Sequence, residues 1–160
     1  MDLIQRAREL YVSGRMHDAL EAAQAACDRS PRDSEAWWLL GRISRHTGLP
    51  AASDVAFRRA AELDGSIAPP HRVSPERFQA LVGEARSALA DDVRDRLART
   101  SIRVQLMPTA EQVRAGVDPD ALRLAEGPPP ALILFQVNHE NRSATERELR
   151  ELLGRSLTPD

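Results

Sequence analysis

Residues 135–148 read FQVNHENRSATERE and set His139 directly before Glu140. That pair opens the H-E-x-x-H arrangement, in which two histidines four apart on one helical turn bind Zn²⁺ and the glutamate acts as general base on the metal-bound water. The second histidine would fall at 143, where Ser143 stands. A hydroxyl in place of the imidazole removes half of the chelate, and none of the other histidines, His17, His46 and His71, lies within four residues of His139. Cys27 is the single cysteine, so ligand count also excludes a Cys-rich structural zinc site. His139 and Glu140 are read as ordinary loop or helix-start residues.

Other chemistry finds no support in residue type and spacing. There is no G-x-S-x-G elbow for a hydrolase triad, and no Gly-rich loop opens a helix after a strand. The acidic pairs Asp91/Asp92 and Asp118/Asp120 sit in turn-forming contexts, where capping and solvation account for them. No catalytic residue, metal ligand or cofactor is assigned.

Composition narrows the classes further. The chain has 160 residues, 42% hydrophobic and 29% charged, which suits one medium domain or two small ones. A net charge of −2 lacks the basic surplus that phosphate binding draws on, so a general nucleic-acid binder is not expected. All 22 basic residues are arginine. The opening MDLIQRARELYVSG has no apolar core of a secretory signal, and no 18 apolar residues run together, so neither membrane insertion nor export is expected and the cytoplasm is the expected compartment. A lone Cys27 in an Ala-rich stretch fits a reducing compartment and reads as a small buried hydrophobe.

The elements that hold these residues begin with a repeat. Shifting the chain by 34 aligns Leu3 with Trp37, Ala7 with Gly41, Gly14 with Gly48, Ala19 with Ser53, Ala23 with Phe57 and Ala26 with Ala60. A helical hairpin needs such pairs: small residues where helices approach, glycine in the turn, and a packed face on the second helix. Helices are predicted over 2–13, 16–29, 34–47 and 50–63, with Ser34 and Glu35 opening the third and Pro50 the fourth.

The stretch AWWLLGRISRHTGLPAASDVAFRRAAELD resembles the tetratricopeptide repeat, with Trp37, Leu40, Gly41, Gly48, Phe57 and Ala60 at the family positions. It departs from the pattern at Ser44, Ser53 and Gly65, and the first repeat is weaker, with Leu3 and Arg6 at two signature positions. The resemblance implies a groove lined by the first helix of each hairpin. On this chain its positions are Ile4, Arg8, Tyr11, Trp38, Arg42, Arg45 and His46. Arg8, Tyr11, Trp38, Arg42 and Arg45 form a basic and aromatic strip that would pair the carboxylates of an acidic peptide or of a chain terminus. The competing reading has Trp38 covered by the C-terminal part of the same chain and the arginines solvated. Two repeats do not bury a core alone, so the amphipathic helix opened by Ser74 and Pro75, with Phe78, Leu81, Val82, Ala85 and Leu89, is expected to cap them.

Residues 67–73 read as a Pro-interrupted linker between a helical domain over 1–66 and a small α+β domain over 74–160. Within the latter, a short amphipathic turn through Val93 and Leu97 precedes a half-buried strand at 101–107 that ends at Pro108. Short helical turns follow over 109–123, then a strand at 131–135 after GPPP. A charged closing helix ends the order, with Leu149, Leu152, Leu153 and Leu157 on its apolar side. The stretches SPERFQALVGEA, IRVQLMP, AGVDPDAL and ERELRELLGRSL together are similar to a family of small bacterial zincin-like metallopeptidase domains. That family's H-E-x-x-H would arise at the end of the last helix, where this chain reads Thr158, Pro159 and Asp160. No family catalytic residue carries over.

The expectation is therefore an α+β chain, two helical repeats followed by a zincin-like domain without its metal site. Its function would be that of a non-enzymatic adaptor holding a protein or acidic peptide in the groove. The alternatives are a zinc peptidase whose catalytic segment is missing from this chain, and a structural subunit that self-associates through an exposed repeat and the second strand.

Overall fold

A computed structural model describes residues 2–158. Helices form most of it, with one three-stranded sheet, so the class is mixed α and β with a helical majority. In chain order the elements are α1 (Leu3–Val12), α2 (Met16–Arg29), α3 (Ser34–His46), α4 (Pro50–Leu63), α5 (Pro75–Ser87), α6 (Asp91–Leu97), β1 (Ser101–Gln105), α7 (Ala110–Arg114), β2 (Arg123–Glu126), β3 (Ala131–Phe135), α8 (Gln136–Asn141) and α9 (Glu146–Leu157). They form two compact units. The first holds residues up to Pro69 together with Pro108–Pro119, and the second holds Pro70–Met107 with the chain from Asp120 onward.

The four predicted N-terminal helices form at the predicted places. Ser34 opens α3 as expected, and Asp33 caps it, its carboxylate accepting from the amides of Glu35 and Ala36. The 34-residue period is written into the backbone itself. Arg15 N–H donates to the Leu10 carbonyl and Leu49 N–H to that of Ser44; the side chains of Ser13 and Thr47 donate to the same two carbonyls. Gly14 (φ 83°) and Gly48 (φ 77°) take the left-handed conformation that closes each turn, at positions where a side chain would be strained. Between α3 and α4, Gly41 lets the Phe57 ring approach closely, and Ser53 Oγ donates to the Gly41 carbonyl at 2.6 Å. The core joins Ala7, Leu10 and Tyr11 of α1 to Met16, Ala19, Ala22 and Ala23 of α2 and to Leu39 and Ile43 of α3.

One later element belongs to this core. Val113, on α7, is buried in the same apolar cluster. The structure therefore corrects the expectation that the helix after Ser74 caps the hairpins: α5 buries Phe78, Leu81, Val82 and Ala85 in the second unit, in one cluster with Leu149, Leu153 and Leu157 of α9.

In the second unit the strand order is β1-β3-β2, with β1 parallel and β2 antiparallel to β3. β3 is central, and Leu132–Phe135 are all buried, so it is not the exposed strand that self-association through it required. β2 and α8 are additions to the expected elements: residue 123 falls at the end of the expected helical turns, 124–126 carry no expected element, and His139 is expected upstream of the last helix. Arg77 on α5 grips Glu146 on α9 through two hydrogen bonds, at 3.2 and 2.5 Å. Arg123 Nη1 on β2 donates to the Ser156 carbonyl at 2.9 Å. Among the described residues no helix is long and apolar enough to cross a membrane.

Candidate functional site

The residues that first attracted attention are interior. His139 is fully buried and Glu140 nearly so, both on α8. Nδ1 of His139 lies 2.7 Å from the Phe135 carbonyl and Nε2 lies 2.8 Å from Ser156 Oγ. A carbonyl only accepts, so Nδ1 carries the proton and Nε2 accepts from the serine hydroxyl. This resembles a nucleophile with its base in connectivity alone, since both groups are shielded from substrate. Burial, with a contribution from Arg142, pushes the imidazole down to about 4, which keeps it neutral. Ser143, at the position a second histidine would occupy, donates to the His139 carbonyl. The Glu140 carboxylate accepts from Arg72 Nη1, Val73 N–H and Gln136 Nε2, each at 3.1 Å. The cluster fastens residues 71–73 to α8, and the His71 amide adds a bond to the Ser143 carbonyl.

Among the described residues no three His, Cys, Asp or Glu side chains converge as a metal-binding group. Of the sequence positions at which the zincin-like motif would arise, Thr158, Pro159 and Asp160, the last two lie outside the described residues.

The five strip residues sit on α1 and α3, and the structure gives each a partner. Tyr11 is buried, with the His46 ring edge-on at 5.3 Å and the Arg42 guanidinium 5.8 Å from its centroid, a cation–π distance. Arg8 pairs with Glu35, joining α1 to the start of α3. Trp38 and Arg45 turn toward α4: Trp38 packs against Phe57 with the rings tilted at 59° and their centroids 4.5 Å apart, and Arg45 lies 3.8 Å from Asp54. Spacing on α3 puts Trp38, Arg42 and Arg45 on one helical face, but their side chains divide between two neighbours. The face is thus a set of paired, half-buried groups.

The segment 108–119 meets this face at the C-terminal ends of α1 and α3. Gly14, after α1, is so close to α7 that an added Cβ would stand 2.7 Å from Arg114 Cγ and 3.3 Å from the Ala110 carbonyl oxygen. At the end of α3, His46 Nε2 lies 3.2 Å from the Pro119 carbonyl and so donates to it. Between these points Val113 enters the core. At the opposite, N-terminal ends of the same helices an open depression of about 310 Å³ is lined by Leu3, Ile4, Ala26, Arg29, Ser30 and the carboxylates Asp2, Asp33 and Glu35. The strip is what the resemblance to the tetratricopeptide repeat implies; the sequence carries no signal that residues 108–119 join it, because one valine in five helical residues is no amphipathic pattern.

Comparison with protein-family models, with curated proteins and with solved structures gives no match to this chain.

Proposed function

We propose that the protein is an adaptor of the tetratricopeptide-repeat kind, and that it holds a partner protein or acidic peptide on the face formed by α1 and α3. The second unit is read as a zincin-like domain that serves as scaffold, and the cytoplasm as the place of action. The observation that carries the reading is the seating of residues 108–119 on this face: the buried Val113, the close approach of Gly14 to α7 and the hydrogen bond from His46 to the Pro119 carbonyl all hold this short stretch of chain there, with Pro108 and Pro119 also buried. Those are the means by which a helical groove holds a peptide. Tyr11 shares the apolar cluster of Val113 and carries the Arg42 guanidinium over its ring, and both are residue types that dominate binding energy at interfaces.

The experiment is affinity capture from the source's lysate with wild type and with the pair Arg8→Glu, Arg42→Glu, both checked for native circular dichroism. A protein retained by wild type and lost by the pair supports the reading. Identical sets of retained proteins, or none, would contradict it.

A further inference from the structure

Resting on that reading, we infer that residues 109–119 are a built-in stand-in for the partner. The partner would be a peptide carrying an aliphatic anchor on a single capped helical turn, with a proline-bordered carbonyl six residues later, and it binds by displacing this segment.

The segment is locally self-sufficient. Thr109 and Gln112 form a reciprocal capping box, Thr109 Oγ1 accepting from the Gln112 amide at 3.0 Å and Gln112 Oε1 from the Thr109 amide at 2.9 Å. Gly116, at φ 109°, ends the turn. A peptide with these start and stop signals is biased toward the bound conformation before it docks, which lowers the ordering cost of binding. Of residues 108–119, Pro108, Val113 and Pro119 are buried while Glu111, Arg114 and Asp118 are exposed, so Val113 is the buried side chain that the helical turn itself contributes. The chain leaves the second unit after Met107 and rejoins it at Asp120, so the segment is a tethered ligand at a high effective concentration, and a free peptide must overcome that advantage.

The geometry also defines what fits. Gly14 leaves room for a helical backbone beside the α1–α2 turn. The cluster of Leu10, Tyr11 and Met16 receives one β-branched side chain, Val113. His46 reads a carbonyl at Pro119, a residue whose own nitrogen offers no donor. Residues 108–119 carry two carboxylates, Glu111 and Asp118, and one guanidinium, Arg114, against a face bearing Arg8, Arg42 and Arg45.

The test uses a fluorescein-labelled synthetic peptide with the sequence of residues 107–121 and the full-length protein. Binding is read by fluorescence anisotropy to wild type, to a variant with 109–119 replaced by a Gly/Ser segment of equal length, and to Val113→Ser, which keeps the segment's length and cap. Both variants are expected to bind the peptide at least about ten-fold more tightly than wild type, since their own segment no longer competes. A peptide carrying Val113→Asp is expected to lose at least about ten-fold against the same variants. Equal binding to wild type and Val113→Ser, or no binding to either, overturns the inference, and the serine variant decides it even where the Gly/Ser variant fails to fold. If captured partners still depend on Arg8 and Arg42 while the peptide result fails, the stand-in is lost and the adaptor reading survives. Peptide displacement without any captured partner gives the reverse.

Discussion

Gly41 lies so close to the Phe57 ring that an added Cβ would stand 2.7 Å from it. One repeat earlier, the same two places are taken by Ala7 and Ala23, both fully buried. The repeats thus fill the same two buried places with different divisions of volume, two methyls in one and a ring against no side chain in the other.

Gly41→Ala should therefore destabilise the protein by about 1–3 kcal/mol, the range for overfilling a packed core. Phe57→Ala should cost about 3–5 kcal/mol as a cavity variant. The double variant restores the alanine pair of the first repeat and should cost less than the sum. Urea unfolding of the three variants measures this, and strict additivity would mean that residues 41 and 57 are not in contact.

A second prediction concerns pH. Burial, reinforced by Arg142 and opposed by the Phe135 carbonyl, pushes His139 down from 6.5 to about 4. The unfolded chain binds a proton near pH 6.5 that the folded chain refuses until about pH 4, so this contribution is complete above pH 6.5 and is lost as pH falls through the window. The slope approaches about 1.4 kcal/mol per pH unit. Urea midpoints between pH 7 and 5 should fall in wild type and flatten in His139→Gln. A wild-type midpoint that stays constant over this range would show the imidazole to be accessible to protons.

Glu140 and Glu146 both accept from arginine, at 2% and 35% side-chain exposure. Glu140→Ala strands the Val73 amide and leaves the Arg72 charge without its carboxylate, and should cost about 3–5 kcal/mol. Glu146→Ala removes a solvent-screened pair and should cost much less. Thermal unfolding ranks the two, and a reversed order would contradict the fastening of residues 71–73 to α8 through the buried Glu140.

Cys27 is buried, and burial, followed by the charges of Asp28 and Asp33, pushes its thiol up to about 11. At pH 8 only about one molecule in a thousand then carries the reactive thiolate. Ellman's reagent should label the native protein far more slowly than the urea-unfolded chain. Labelling at equal rates would place the thiol in solvent.

These predictions rest on parts of the fold that differ in how openly the sequence declared them. The hairpins were legible because each pair 34 apart does the same backbone job, as Gly14 and Gly48 do in the turns. α9 was legible from leucines at helical spacing, all now buried. β2 was not, because Arg123–Glu126 is four residues long and only pairing with β3 makes it a strand. α8 was hidden for the opposite reason. Its sequence, QVNHEN, reads as surface, yet five of the six residues are buried, their polar groups satisfied by partners far off in sequence such as Arg72, Ala121 and Ser156. The five strip residues follow from the resemblance to the tetratricopeptide repeat, but which neighbour each of the α3 members faces, α1 for Arg42 and α4 for Trp38 and Arg45, is a tertiary fact.

The central claim is that the α1 and α3 face holds a short peptide, residues 108–119, through Val113. A methyl NOESY spectrum of the full-length protein tests it most directly. Cross-peaks from the Val113 methyls to the Tyr11 ring or to the methyls of Leu10, Met16, Leu39 or Ile43 are the predicted result. Val113 methyls at random-coil shifts, with no cross-peak to any of these residues, would contradict the account.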